Sequence, residues 1–213
     1  MRKLLILGAG GHSKVVAEIA RLNQWEVVGF IDGVNPLRKG ESFYGSKILG
    51  GDEVLEDLFR SDVKHAMVAF GNNRIRLKTA ENLAGMGFKL PSAIHPSAIY
   101  AGDVEIGDGT VIAAGAVIGP STSIGRYVIV NTQASLDHEC RVCDGAHLGP
   151  GAVVTGGVLV GACAWIGAGA VISDHKKIGA DSIVGAGAVV VKDVPDDVVA
   201  IGVPAKVSRQ VNL

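Results

Sequence analysis

The sequence has no long hydrophobic run and little net charge, and each of these absences excludes a class of function. No stretch approaches the roughly 18 consecutive apolar residues that a membrane-spanning helix needs. The formal net charge is −1, so the chain carries no electrostatic footprint for nucleic acid or for an acidic membrane surface. The short apolar start of the chain runs directly into glycines, which indicates a buried strand rather than a signal peptide.

Cysteine is also scarce. The chain has three cysteines, Cys140, Cys143 and Cys163, and their spacing is not that of metal ligands. Small buried or half-buried side chains in a reducing compartment are the simplest interpretation of such residues. We therefore predict a cytoplasmic protein without a metal site.

Charged residues are unevenly distributed along the chain. Residues 106–195 contain 12 charged side chains in 90 positions, against 29 in the other 123. A solvent-exposed surface usually carries more charge than this, and extended apolar faces usually mark interfaces. The low charge of this block therefore predicts self-association, most simply as a homotrimer.

The same block has a strict period of six residues. Every sixth residue from Ile106 to Val190 is aliphatic, and the residue four positions after each aliphatic is mostly small. Helices have a period of 3.6 residues and exposed strands a period of two, so neither explains the pattern. A six-residue unit predicts a parallel β-helix, in which three units form one coil and the aliphatic side chains fill the interior. Glycine is expected where the turns demand a positive φ.

The first part of the chain reads as a Rossmann-like βαβ domain. An apolar strand ends at the segment Gly8–Lys14, an amphipathic helix follows to about Leu22, and a second strand, Trp25–Ile31, ends at Asp32. The glycines allow a tight turn, and the helix N-terminus favours a phosphate. Ser13 stands where the dinucleotide-binding fingerprint has its third glycine, so a tight turn without a ligand remains an alternative.

The rest of this domain is predicted in outline. Residues 33–50 are expected to form a loop, Lys64–Phe70 a third strand, and Asn73 the cap of the next helix. Ligands of open parallel sheets bind at the carboxyl ends of the strands. Gly8–His12, Asp32 and Gly71–Asn73 should therefore surround one pocket.

These patterns give a fold class and three parts. We predict an α/β domain, Rossmann-like, over residues 1–92, and a parallel β-helix over residues 93–195. Residues 196–213 form a tail that ends the repeat.

His138 is the strongest candidate for chemistry in the repeat. It stands between Asp137 and Glu139 in a block that is otherwise poor in charge, and a neighbouring carboxylate orients an imidazole and raises its basicity. Gly156 follows 18 positions later, so both residues should lie at one corner of adjacent coils, about one strand spacing apart. A base and a backbone N–H for an oxyanion are the minimum equipment for acyl transfer.

A second histidine has a different position. His147 follows His138 by nine residues, which is half of a coil, so the two should face opposite sides of one β-helix. They can cooperate only across a subunit interface, which favours an active site between protomers.

Together, these motifs resemble the sugar O- and N-acetyltransferases of bacterial surface-glycan pathways, and the resemblance covers nearly the whole chain. The matching segments are Gly8-Ala9-Gly10-Gly11-His12-Ser13-Lys14, Phe30-Ile31-Asp32, Gly71-Asn72-Asn73, Val130-Asn131-Thr132, His138-Glu139-Cys140, His147 and Gly202-Val203-Pro204-Ala205-Lys206. The resemblance implies a left-handed β-helix, a homotrimer, and acetyl-CoA as the acetyl donor.

The resemblance also implies roles for individual residues. His138 matches the general base, Glu139 the residue that supports it, and Gly156 the amide that faces the thioester carbonyl. The residues matched to the CoA site are His147, Gly156, Ala168, Ala186, Pro204 and Lys206. The residues matched to the nucleotide-sugar site are Gly8, Gly10, Gly11, His12, Asp32, Gly71, Asn72 and Asn131.

The expected function is therefore N-acetylation, by acetyl-CoA, of a UDP- or dTDP-linked 4-amino-4,6-dideoxy sugar. O-acetylation of a sugar hydroxyl, as on sialic acid, is the closest alternative. A trimeric scaffold that binds a nucleotide sugar without catalysis is an alternative of another class. A carbonic anhydrase would need three metal-binding histidines at an interface, and the 37 residues between His138 and His175 oppose their convergence.

Overall fold

The structure is a computed structural model that describes residues 2–211. The chain divides into two compact units, Met1–Pro96 and Ser97–Leu213. Within the described residues, no helix is both long enough and apolar enough to cross a membrane.

The first unit is a Rossmann-like α/β fold. Its elements are β1 (Arg2–Leu7), α1 (Gly11–Leu22), β2 (Trp25–Ile31), a 3₁₀ turn (Pro36–Arg38), β3 (Ser42–Phe43), β4 (Ser46–Gly50), a second 3₁₀ turn (Asp52–Val54), α2 (Leu55–Arg60), β5 (Ala66–Val68), α3 (Asn73–Gly85) and β6 (Ala93–Ile94). One sheet has the order β3-β4-β2-β1-β5, in which only β3 is antiparallel to its neighbour. The interior strand β1 is buried from Leu4 to Leu7, as expected for a parallel strand that is covered on both faces.

Two local predictions for this unit were wrong. Residues 33–50 are not a structureless loop, because they form a 3₁₀ turn and the β3–β4 hairpin. The ring of Phe43 packs edge-on against Phe30 with a centroid separation of 4.8 Å, which anchors the hairpin to the core. The cap of α3 is Asn72 rather than Asn73, since the Asn72 side chain accepts the N–H of Ile75 at 3.0 Å.

The second unit is a left-handed parallel β-helix built from two-residue strands, one for each six-residue unit. These strands are β7 (Ile99–Tyr100), β8 (Glu105–Ile106), β9 (Val111–Ile112), β10 (Val117–Ile118), β11 (Ser123–Ile124), β12 (Ile129–Val130), β13 (Ser135–Leu136), β14 (Arg141–Val142), β15 (His147–Leu148), β16 (Val153–Val154), β17 (Leu159–Val160), β18 (Trp165–Ile166), β19 (Val171–Ile172), β20 (Lys177–Ile178), β21 (Ile183–Val184) and β22 (Val189–Val190).

Three parallel sheets form the sides of the β-helix. Sheet I contains β7, β10, β13, β16, β19 and β22; sheet II contains β8, β11, β14, β17 and β20; sheet III contains β9, β12, β15, β18 and β21. Ser135 pairs with both Val117 and Val153, so each coil has 18 residues. The repeating aliphatic residues are buried except for Ile106, which is half-buried in the first coil.

The turns show why glycine recurs in the repeat. The residue three positions after the aliphatic takes a positive φ whether it is Gly169 (φ 64°) or Glu139 (φ 57°). The glycine directly after the aliphatic serves another purpose: a Cβ on Gly167 would lie 2.5 Å from the backbone nitrogen of Ala186 in the next coil. That glycine is required by the close approach of stacked coils, and not by its φ.

The end of the chain continues the third sheet. β23 (Val198–Gly202) pairs in parallel with β21, and β24 (Ala205–Gln210) folds back antiparallel to β23. The predicted tail therefore forms a hairpin on the last coil, in which the side chains of β24 are mostly exposed.

Candidate active site

One corner of the β-helix stacks His138, Gly156 and Asp174 in successive coils. Strands β13, β16 and β19 pair in register, so the turns that follow them also stack. The N–H of Gly157 donates to the carbonyl of His138 at 2.9 Å, and the N–H of His175 donates to the carbonyl of Gly156 at 2.9 Å. The predicted base, His138, and the predicted amide, Gly156, therefore lie in neighbouring coils at one corner, between sheets I and II.

The imidazole of His138 lies directly over Gly156. A Cβ at position 156 would be 2.6 Å from Cε1 and 2.8 Å from Nε2 of His138. Such distances are too short for carbon–carbon or carbon–nitrogen contact, so the ring occupies the place of a side chain at position 156. The missing side chain brings Nε2 of His138 close to the backbone of Gly156, whose N–H also contributes to lowering the pKa of Asp174 in the next coil.

The two acidic neighbours of His138 act differently. Nδ1 of His138 lies 3.1 Å from Oε2 of Glu139, so the carboxylate can accept a hydrogen bond from Nδ1–H, which leaves Nε2 unprotonated and able to act as the base. Oδ1 of Asp137 instead accepts the backbone N–H of His138 at 2.8 Å. Asp137 therefore shapes the turn, and Glu139 orients the imidazole.

The next coil adds a carboxylate to the same corner. Contact with the Thr155 hydroxyl lowers the pKa of Asp174, and the nearby His175 and His138 contribute to the same shift. Asp174 is therefore negatively charged at neutral pH, one rung beyond Gly156.

His147 lies on sheet III, away from His138 within one chain. Oδ1 of Asn131 accepts the N–H of Thr132 at 2.8 Å, which assigns the amide nitrogen of Asn131 to the contact with Nε2 of His147 at 3.2 Å. Nε2 must then accept, so a neutral His147 carries its proton on Nδ1. The ring of Trp165, in the next coil, stacks on the imidazole with 18° between the planes. This arrangement suits a fixed hydrogen-bonding group better than a base.

Two of the positions matched to CoA lie at another corner, between sheets III and I, whereas Gly156 is at the His138 corner and His147 on sheet III. Ala168 and Ala186 are neighbours there, because the N–H of Gly187 donates to the carbonyl of Ala168 at 2.9 Å. A Cβ added at Gly169 or Gly187 would meet nothing within 4 Å, so the backbone of this corner is open to a ligand. Pro204 and Lys206 lie in the β23–β24 hairpin at the end of sheet III.

The first unit contains a cavity of about 630 Å³. It lies at the carboxyl ends of β1, β2 and β5, where the topology predicts a ligand site. Its lining includes Gly8, Gly10, Gly11, His12, Asp32 and Gly71, and Asn72 follows directly as the cap of α3. A Cβ at Gly8 would lie 2.9 Å from the carbonyl oxygen of Ala69, whereas one at Gly10 or Gly11 would meet nothing within 4 Å.

One wall of this cavity was missed by the sequence analysis. Arg38 donates to Oδ2 of Asp32 at 2.9 Å and to the carbonyl of Ala9 at 3.3 Å. Glu41 accepts two further hydrogen bonds from Arg38, each of 2.8 Å, and raises its pKa together with Asp32. Oδ1 of Asp32 also accepts the N–H of Asn35 at 2.9 Å. The pairing of Arg38 and Glu41 at i, i+3 was the available signal, but it lay in the segment interpreted as a loop.

No group of three or more His, Cys, Asp or Glu side chains that could hold a metal ion occurs among residues 2–211. An imidazole over a bare backbone position, on a left-handed β-helix that follows a Rossmann-like unit, defines the class of hexapeptide-repeat acyltransferases.

Comparisons with known proteins agree with this class. Residues 3–83 match the family described as PglD N-terminal domain. The chain is 42% identical to PerB from Caulobacter crescentus, solved in complex with CoA and GDP-perosamine; the match covers 97% of each chain with a TM-score of 0.93. It is 30% identical over 167 residues to GDP-perosamine N-acetyltransferase of Escherichia coli O157:H7, covering 76% of this chain and 73% of that protein.

A third relative is named for a UDP-linked sugar, whereas the first two are named for or bound to a GDP-linked sugar. The chain is 37% identical over 118 residues to UDP-N-acetylbacillosamine N-acetyltransferase of Bacillus subtilis (strain 168), which covers 54% of this chain and 52% of that protein. The chain belongs to this family of hexapeptide-repeat nucleotide-aminosugar N-acetyltransferases.

Proposed function

We propose that the protein transfers the acetyl group of acetyl-CoA to the amine of a nucleotide-linked 4-amino-4,6-dideoxy sugar in bacterial surface-glycan biosynthesis. The observation that carries this proposal is the His138 imidazole over the backbone of Gly156, 2.8 Å from Nε2 to the place of a Cβ. The PerB complex with CoA and GDP-perosamine supports the two substrates.

The proposed reaction is a direct transfer. The sugar amine attacks the thioester carbonyl, and Nε2 of His138 accepts a proton from the nitrogen. Glu139 stabilises the resulting imidazolium, while the N–H of Gly156 donates to the tetrahedral oxyanion. The intermediate collapses to the amide, and the CoA thiolate leaves and takes up a proton. Holding the two substrates together supplies a large part of the rate.

Acetyl-CoA fits the open corner between sheets III and I. We assign its pantetheine to the backbone beside Ala168 and Ala186, and its distal part to Pro204 and Lys206. The ammonium of Lys206 is exposed and suits a phosphate. His147 is assigned to the same cosubstrate as a neutral hydrogen-bonding group.

The nucleotide sugar is assigned to the cavity of the first unit. The open backbone of Gly10 and Gly11 at the start of α1 suits the diphosphate. Gly8, His12, Asp32, Gly71 and Asn72 complete the assigned set in this unit, and Asn131 is assigned to the sugar. The sequence suggested UDP or dTDP, and the names of the relatives add GDP as a third candidate.

A homotrimer is part of the proposal, and the outer faces of the β-helix support it. Stacked on the outside of sheet I are Ile99, Val117, Ser135, Val153, Val171 and Val189. The corresponding residues of sheet II are Glu105, Ser123, Arg141, Leu159 and Lys177. The apolar face of sheet I suits burial against a second copy, and a neighbouring copy could bring its His147 to the His138 corner.

The test is CoA thiol release from acetyl-CoA with GDP-, UDP- and dTDP-linked 4-amino sugars, set against free sialic acid. We expect release with an amino sugar and its loss when that amine is already acetylated. Release with sialic acid alone would replace N-acetylation by O-acetylation. Nucleotide-sugar binding without any release would favour the non-catalytic scaffold.

A further inference from the structure

A buried arginine lies beneath the nucleotide-sugar cavity. Arg76 of α3 is 1% exposed and is among the largest fully buried side chains of the described residues. Its Nη1 donates to the carbonyl of Phe70 at 3.1 Å and to that of Gly71 at 3.5 Å. Its Nη2 donates to Oδ1 of Asn73 at 3.0 Å. The guanidinium thus ties the segment after β5 to the first turn of α3.

These contacts connect Arg76 to the cavity. Phe70 and Gly71 line it and Arg76 does not, so the guanidinium supports one wall without facing the cavity. Carrying a guanidinium out of water has a large desolvation cost, and a buried apolar side chain would avoid that cost. The retention of a cation at this place suggests that its charge serves the cavity.

His12 is the residue on which this charge acts. It lines the cavity from α1, and its Nε2 is buried and makes no hydrogen bond within residues 2–211. Burial and then the charge of Arg76 lower the pKa of His12 to about 4. The other charged groups that line the cavity are Asp32, Arg38 and Asp52, while the segment Ala69–Gly71 is uncharged.

We propose that Arg76 is a positioning residue of the nucleotide-sugar site, which holds the Phe70–Gly71 wall through hydrogen bonds and adds its charge to the burial of His12 in keeping that imidazole neutral. This inference rests on the proposed function, because it assigns a diphosphate-linked sugar to the cavity. A protonated His12 would add a positive charge beside the diphosphate and tighten binding as the pH falls. A neutral His12 leaves the α1 amides to bind the diphosphate with an affinity that is constant across physiological pH.

The first experiment measures binding of unreactive probes, GDP-mannose and UDP-glucose, by titration calorimetry between pH 5.5 and pH 8. Their diphosphates are diesters and do not titrate in this range, so any change reports the protein. Wild type should bind with a constant affinity. Arg76→Met should weaken binding about tenfold at pH 8. It should also bind about twofold tighter at pH 5.5 than at pH 8, because losing the Arg76 charge lets the pKa of His12 rise, while burial still holds it below its ordinary value.

Three matched variants separate charge from structure. Arg76→Lys keeps a positive charge, so it should keep the constant affinity even if binding is weaker. The double variant Arg76→Met with His12→Asn should lose the pH dependence. Lys78→Met changes an exposed cation of the same helix and should behave as wild type. In the reaction, Arg76→Met should raise the KM of the amino sugar about tenfold and leave that of acetyl-CoA within about twofold.

The wild-type protein provides a test that does not depend on the folding of any variant. NMR of histidine-labelled protein, with His12→Asn for assignment, should show no titration of His12 above pH 5. Titration near pH 6.5, or Arg76→Met binding with wild-type affinity and pH profile, would overturn the inference while leaving the proposed function intact. Failure of every GDP-, UDP- and dTDP-linked sugar to bind wild type would overturn both.

Discussion

The two units of this chain build their sites by different means. In the β-helix, stacked 18-residue coils fix position, and the candidate site arises where a histidine in one coil meets a glycine in the next. In the Rossmann-like unit, individual contacts fix position, such as the hydrogen bonds of Arg38 to Asp32 and of Arg76 to Phe70. A repeat therefore places functional groups through backbone register, whereas the irregular unit needs a dedicated side chain for each wall.

The largest expected effect is the fall in kcat when the proposed base, His138, is removed. His138→Ala should lower kcat about 10²–10⁴-fold, the usual range for general base catalysis, and should leave the KM of both substrates nearly unchanged. The control is His175→Ala, which removes the imidazole packed beside Gly157 at the same corner and should keep kcat within about threefold. Steady-state kinetics decides the matter, and a His138→Ala enzyme with more than about a third of wild-type kcat would contradict the assignment.

A side chain added at position 156 tests whether the stacking of His138 on Gly156 is needed for activity. Gly156→Ala places a methyl group where the His138 ring lies, so the imidazole must move and kcat should fall about 100-fold. Gly102→Ala is the matched control, since a Cβ there meets nothing within 4 Å and activity should be unchanged. A crystal structure of the Gly156→Ala protein with an undisplaced ring, together with full activity, would argue against the site.

Substitutions on the apolar face of sheet I test whether the active site lies within one chain or between two copies. Val153→Glu with Val171→Glu places two carboxylates on that face, where burial of charge is costly, and should yield monomers by light scattering. If protomers share the site, activity should fall about tenfold or more with the monomer. Lys177→Glu on sheet II is the control and should stay oligomeric. A fully active monomer would place the whole site in one chain.

The smallest expected effect is on stability. It compares the glycine directly after the aliphatic residue with the positive-φ glycine three positions after it. Gly167→Ala should lower the free energy of unfolding by about 3 kcal/mol, because its Cβ overlaps the next coil. Gly169→Ala has open space and only a positive φ to tolerate, so it should cost about 1 kcal/mol. Chemical denaturation compares the two variants, and equal losses would show that φ rather than coil spacing demands glycine at both positions.

The sequence predicted the β-helix well because one physical constraint repeats. Each aliphatic that must point inward adds evidence for the same register, so the position of His138 relative to Gly156 followed from counting residues. It also predicted which strand ends of the first unit face the cavity, since that depends only on the order of strands and helices. The match to acetyltransferases of nucleotide-linked sugars came from the combination of motifs.

The irregular contacts could not be predicted in the same way. Arg76 has the sequence signature of an exposed helix residue, and its burial depends on the turn after β5, which brings the carbonyls of Phe70 and Gly71 to its guanidinium. Arg38 belongs to a segment without periodicity, which is ordered by the packing of Phe43 on Phe30. The contacts of Arg76 are near in sequence but depend on how the chain turns into α3, and Arg38 depends on a ring contact between separate strands; neither follows a regular spacing.

The 18-residue length of each coil limits which insertions and deletions such a protein can accept during evolution. A whole coil gained or lost leaves every inward aliphatic in place, whereas any other length change rotates all later corners around the axis. Insertion of one coil between His138 and Gly156 would leave an intact β-helix. It would also separate the imidazole from the Gly156 amide by one additional coil. Such a protein could lose its chemistry through a change that its folding would scarcely register.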